Sequence, residues 1–170
     1  MSVAQKIIIM LLLKTAPQDL PYSTGLMARV IFLYLLSGIV VVGGSVDPSL
    51  ALGHMLLNTG IVLFFSYVVL SSLSLNARFV QTVTALIGTS IVFNLLAWPV
   101  LGYKEIEDAS KFAQQLFALA VLVLTSWEIL VMAHIFRNAL DTKMTQAVVL
   151  SMALFFVSLT LSQLVFPEPL

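Results

Sequence analysis

The chain has 170 residues, of which 60% are hydrophobic and only 9% charged, and its mean hydropathy is +1.07. Soluble domains carry about a quarter charged residues, so this composition excludes an ordinary globular protein and points to an integral membrane protein. Eight Lys and Arg balance eight Asp and Glu, so no net charge directs the chain to nucleic acid.

The first element is the apolar run over residues 3–13, VAQKIIIMLLL, which is too short to cross a bilayer. It predicts an interfacial helix over 3–14, with Lys6 and Lys14 reaching the headgroups, the alternative being a segment buried against the bundle. A processed signal peptide also begins with a lysine and an apolar run. Here, however, Lys14 interrupts the run, and the adjoining TAPQDLP has no small-x-small cleavage site. Pro17 and Pro21 then fix an elbow that cannot continue as helix, and Ser23 is placed to cap the first span.

Charged residues punctuate the rest of the chain. A helix needs about 20 mostly apolar residues to cross roughly 30 Å of hydrocarbon. Seventeen uncharged residues separate Arg29 from Asp47, 30 separate Asp47 from Arg78, and 25 separate Arg78 from Lys104. Lys111 to Arg137 encloses 25 residues with one charge, Glu128, and Lys143 to Glu168 encloses 24. Spans are predicted near 24–43, 51–74, 80–101, 112–136 and 145–166, with Arg29 snorkelling to the headgroups. Gly43 and Gly44 end the first. Pro99 and Gly102 end the third, with Trp98 and Tyr103 as interface anchors. Loop 102–108 is the one sizeable outer connection, with Asp108 or Ser110 capping the next helix. The apolar runs are continuous rather than alternating, which argues against a β-barrel. The expected fold class is therefore all-α: an integral membrane helical bundle of five transmembrane helices preceded by a short interfacial helix, with 1–170 as a single domain.

Orientation follows from the cations. With a cytoplasmic amino terminus, Lys6, Lys14 and the anchors Arg29, Arg78, Arg137 and Lys143 lie inside, and only Lys104 and Lys111 lie outside. The carboxyl terminus is then periplasmic if the membrane is a bacterial inner membrane. Asp47, Glu105, Glu107, Asp108 and Glu168 fall on the outer side of this topology.

The residue inventory bears on function. There is no cysteine, which removes thiol chemistry and thiolate metal sites. His54 and His134 fall near opposite faces and cannot share a metal. No phosphate-binding loop, zinc-protease motif or nucleophile elbow is present. A non-enzymatic protein without a cofactor or metal is expected.

Glu128 is the one ionisable residue well inside a span, about 12 Å deep when counted from Phe136. A central acidic residue costs roughly 2.5–3.5 kcal/mol on insertion scales, which protonation or hydrogen bonds from neighbouring spans would reduce. At similar depth lie Ser37, Tyr67, Gly88 and Ser151. Gly60, Phe64, Tyr67, Ser71 and Ser74 share one face of the second span, and Ala147, Ser151, Ser158 and Ser162 make a small-residue stripe on the fifth. The candidate intramembrane polar site is thus Glu128, Tyr67, Ser71 and Ser151, with Tyr67 as the expected donor. His54, Asn58, Asn94, Gln163 and the hydroxyls read as interhelical glue.

The short amino-terminal segment, the elbow Ala16-Pro17-Gln18-Asp19-Leu20-Pro21, the five close spans and the phrase Ala77-Arg78-Phe79-Val80-Gln81-Thr82 with Ala85 and Gly88 beyond it resemble the Yip-domain family of Ypt/Rab-interacting membrane proteins. That resemblance implies a small bacterial inner-membrane protein, and it transfers no site residue. The functional expectation is an assembly factor or small subunit of a membrane complex. It would act through helix contacts with the lipid bilayer around it and with other integral membrane proteins or a second copy as partners. The alternative is a small transporter or channel using Glu128 as a proton or cation site.

Overall fold

A computed structural model describes residues 1–42, 48–101 and 111–167. The expected helix stop at Gly43 and Gly44, loop 102–108 with its Tyr103 anchor, the caps Asp108 and Ser110, and the charges Asp47, Lys104, Glu105, Glu107 and Glu168 lie outside these residues. The described chain forms six α-helices: α1 (Val3–Leu11), α2 (Thr24–Val42), α3 (Pro48–Ser72), α4 (Phe79–Leu101), α5 (Lys111–Leu140) and α6 (Met144–Val165). Short 3₁₀ turns at Pro17–Asp19 and Asn76–Arg78 complete it, and no strand occurs among the described residues. The protein is all-α. α3, α4, α5 and α6 contain segments long and apolar enough to cross a membrane, and α2 is a shorter apolar helix.

Local chemistry accounts for the helix ends. Ser23 caps α2 as expected, its Oγ accepting from Leu26 N at 3.2 Å. Ser2 and Gln5 form a reciprocal capping box at α1, with Gln5 N donating to Ser2 Oγ and Ser2 N to Gln5 Oε1. Three carboxyl ends close through a residue in the left-handed region: Leu13 (φ 60°), Ser74 (φ 58°) and Asp141 (φ 50°). In each case the next amide reaches back to a carbonyl five residues before it, as Leu75 N does to Leu70 O at 2.8 Å. Glycine adopts that conformation without Cβ strain. Ser74→Gly, at an exposed side chain, is therefore expected to stabilise the protein by about 1 kcal/mol in detergent unfolding. Pro99, expected to end the third span with Gly102, instead lies within the last turn of α4.

The helices surround α4, which packs against α1, α2, α3 and α5, while α6 packs on α5 and α3. Thr82 through Thr89 are buried without a break, all round the helix. The hydroxyls in this stretch bond back along their own helix: Thr82 to Arg78 O (2.8 Å), Thr84 to Val80 O (2.6 Å) and Thr89 to Ala85 O (3.0 Å). Interhelical hydroxyl bonds occur elsewhere, at Ser37 Oγ with Asn94 and at Ser162 Oγ with His54, beside bonds of larger polar groups. Trp127 Nε1 donates to Leu11 O at 3.0 Å, His134 Nε2 to Thr15 O at 2.9 Å and Asn58 Nδ2 to Tyr34 Oη at 2.7 Å. Ser66 is fully buried, and its Oγ has no hydrogen-bond partner among the described residues. Burying an unpaired hydroxyl costs about 1–3 kcal/mol, so Ser66→Ala should raise the unfolding midpoint rather than lower it.

One end of the bundle is basic: Lys6, Lys14, Arg29, Arg78, Arg137 and Lys143 lie there, with Asp19 and Asp141. The elbow is bolted to it. Gln81 Nε2 donates to Leu20 O (2.6 Å) and Gln18 O (3.2 Å), and Gln18 Nε2 donates to Asn138 O. The expected interfacial helix over 3–14 is helical to Leu11 and is seated in the bundle, with Ile7, Met10 and Leu11 buried. Its face fits because Gly88 leaves room for it. A Cβ there would stand 2.8 Å from Ile7 Cδ1. The half nearest the basic end is densely filled, with Leu70, Val83, Phe136 and Ala139 among the fully buried side chains. The other half is hollow.

Candidate functional site

A cavity of about 870 Å³ lies in that hollow half, walled by α2, α3, α4, α5 and α6. Its polar lining includes Tyr34 from α2, His54 and Asn58 from α3, Asn94 from α4, Glu128 from α5 and Gln163 from α6. These side chains share a level because of where their helices begin and end. Tyr34, Asn58, Asn94, Glu128 and Ser158 sit ten to fifteen residues from the basic-end terminus of their helices, roughly 15–22 Å at 1.5 Å per residue. Met55, Met132, Leu154, Phe155 and Leu159 supply an apolar wall.

The polar groups are partly engaged with one another. Asn58 Nδ2 donates to Tyr34 Oη at 2.7 Å, Asn94 Nδ2 to Ser37 Oγ at 3.3 Å, and His54 Nδ1 shares a 2.8 Å hydrogen bond with Ser162 Oγ. The ring of Phe166 lies against His54 with centroids 4.3 Å apart, and a Cβ on Gly53 would come within 2.8 Å of that ring. The end of α6 therefore sits tightly on the start of α3 beside the cavity.

Glu128 is the exception. Among the described residues its carboxylate has neither a hydrogen bond nor an ion-pair partner. It lines the large cavity on one side and, on the other, a second cavity of about 150 Å³ on the α4–α5 seam, bounded by Phe93, Asn94, Ala97, Val121, Leu124 and Thr125. Glu128 and Asn94 stand between the two spaces. Among the described residues no lysine or arginine faces either cavity, and no group of three metal-ligating side chains occurs.

The residues expected to accompany Glu128 are elsewhere. Tyr67 points outward, 57% exposed, with its ring edge-on to Phe79. Ser71 donates to Asn76 Oδ1 at 2.6 Å at the end of α3, and Ser151 is fully buried and bonded to Ala147 O at 2.9 Å. None of the three lines either cavity with Glu128. The reason is the length of α5. It runs to Leu140 rather than stopping near Phe136, which moves Glu128 about 6 Å further from the basic end. That brings it level with Asn58 and Asn94. Tyr34 was missed, although its i, i+3, i+4 spacing to Ser37 and Gly38 marks a polar, small-residue face on an otherwise apolar helix. The anchors Arg29, Arg137 and Lys143 are exposed, whereas Arg78 is tied to Asp141 at 2.7 Å.

Fold and site together define a class: an all-helical protein with four helices long and apolar enough to cross a membrane, around a partly polar pocket. Comparison with protein-family models, with curated proteins and with solved structures finds no match to this chain.

Proposed function

We propose that the protein is a five-span integral membrane protein that binds a small solute inside its bundle, as a small transporter or channel with Glu128 as the intramembrane proton or cation site. The observation that carries this reading is the unpaired Glu128 carboxylate standing between two cavities. A carboxylate away from bulk water requires a proton or a countercharge, and no cation stands beside it among the described residues. α2 serves as the fifth span: its 19 residues rise about 28 Å, close to the hydrocarbon thickness. With the basic end cytoplasmic by the positive-inside rule, the cavity belongs to the outer half and the packed core closes the inner half.

The observation that weighs against a purely architectural role is the volume. A bundle that only offered helix faces to partners has no need of a pocket of about 870 Å³ lined by Tyr34, Asn58, Asn94, Glu128 and Gln163. The proposed five-span layout resembles that of Yip-domain proteins in topology alone. The test is reconstitution in liposomes. The wild-type protein is expected to support a proton- or cation-dependent flux, and Glu128→Gln should abolish it while leaving the unfolding midpoint unchanged. Absence of flux from the wild type under both gradients would defeat the proposal.

A further inference from the structure

The cavity lining specifies more than the presence of a solute. We infer that its occupant is an organic monocation with an apolar body, held with the cationic group at Glu128 and Asn94 and the body against the methionine and aromatic wall. This rests on the solute-binding reading above and adds the chemical class.

Charge supports a single positive group. Among the described residues Glu128 is the only formally charged side chain on the lining, and none of the described lysines or arginines faces it. An anionic ligand would meet like charge and no basic partner. Hydrogen-bond polarity agrees. Asn58 and Asn94 each donate one Nδ2 hydrogen to a protein acceptor, Tyr34 Oη and Ser37 Oγ. Their Oδ1 atoms accept no hydrogen bond among the described residues. Beside the carboxylate, then, the two amide oxygens can accept from an ammonium or amidinium donor, while each amide also keeps one N–H.

Size and apolarity exclude a bare ion as the sole occupant. Hard divalent cations take six or more oxygen ligands with several carboxylates, and here one carboxylate serves about 870 Å³. The remaining wall of Met55, Met132, Leu154, Phe155 and Leu159 offers apolar contact that a hydrated ion cannot use. Methionines adapt to irregular apolar shapes, and Phe155 and Phe166 add ring faces that attract a cation. A body of aryl or alkyl groups uses all of this wall.

The test uses the full chain in an uncharged maltoside detergent with three probes: tetraphenylphosphonium, its anionic isostere tetraphenylborate, and neutral triphenylphosphine oxide. Saturable one-site binding of the phosphonium is expected, with a rise in unfolding midpoint, at least tenfold tighter than either other probe. Glu128→Gln should weaken it tenfold or more, and Asn94→Asp, which adds a second carboxylate, should tighten it. If Glu128→Gln fails to fold, Asn94→Asp decides: unchanged or weaker phosphonium binding overturns the inference. Equal binding of the borate or the oxide, with no effect of Glu128→Gln, also overturns the cationic class while leaving a solute-binding cavity. Absence of binding by all three probes together with a Glu128-dependent flux in liposomes has the same consequence. Absence of both binding and flux removes the inference and the proposed function together.

Discussion

Gly88→Leu is expected to lift α1 off the bundle, and Gly88→Ala is expected to do so only slightly. Gly88 lies where three helices meet: an added Cβ would stand 2.8 Å from Ile7 Cδ1 and 3.3 Å from Ile7 Cγ1 on α1, and 3.7 Å from Val30 Cγ1 on α2. A single methyl can be met by turning the end of the Ile7 side chain. Three further carbons cannot, because Val30 is 5% exposed and the flanking Ile87 and Thr89 are buried. Overpacking of this kind costs about 1–3 kcal/mol. α1 is the element that can yield, since it is nine residues long and is retained by Ile7, Met10, Leu11 and a few polar ties. The chain has no cysteine, so Met10→Cys gives a clean reporter at a fully buried position. Maleimide labelling of Met10→Cys should be slow alone and at least tenfold faster when Gly88→Leu is added. Equal rates in the two backgrounds would show that α1 is not held by this contact.

The same residues show how much of the molecule is legible in its sequence. Four helices long and apolar enough to cross a membrane can be read from charge spacing, because a bilayer favours helix along a continuous apolar run, whereas the expected first span is a shorter apolar helix. Helix ends are harder. Leu13, Ser74 and Asp141 close their helices in the left-handed region without the glycine that usually marks such a stop. Arg137 and Asn138 carry α5 past its apolar run, which shifts the inferred level of Glu128 by more than a turn. The site suffers most from that shift. His54, Asn58, Asn94 and Gln163 each stand out as polar residues in apolar helices, yet their convergence depends on helix crossings and rotations. Nearly uniform apolarity provides no amphipathic stripe from which to read rotation. The Ala77–Thr82 phrase, conspicuous in the sequence for its layout, holds Arg78 and Gln81, the two side chains that knit the basic end together.

That knitting leads to a second expected result: Arg78→Ala costs about 2 kcal/mol, clearly more than Asp141→Gly. Arg78 Nη1 donates to Ala139 O at 2.8 Å and approaches Asn138 O at 3.4 Å, at the carboxyl end of α5, where carbonyls lack helical partners. It also meets Asp141 Oδ2 at 2.7 Å, but the two side chains are 30% and 70% exposed. An exposed ion pair contributes only about 0.2–1 kcal/mol. A charge-assisted bond such as that to Ala139 O contributes about 1.5–3 kcal/mol before solvent reduces it, whereas Asn138 O also accepts from Gln18 Nε2. The carbonyl clamp should therefore outweigh the ion pair, and Arg78→Lys, which keeps the charge but not the guanidinium geometry, should recover only part of the loss. Asp141 adds an internal control because its φ is 50°. Asp141→Gly loses the ion pair but relieves about 1 kcal/mol of left-handed strain, so it should be close to neutral, whereas Asp141→Ala loses the pair and keeps the strain. Unfolding midpoints in detergent should rank wild type and Asp141→Gly together at the top, then Asp141→Ala, then Arg78→Ala. If Asp141→Gly were as damaging as Arg78→Ala, the stability of this end would have to come from the ion pair, and the clamp on α5 would contribute nothing.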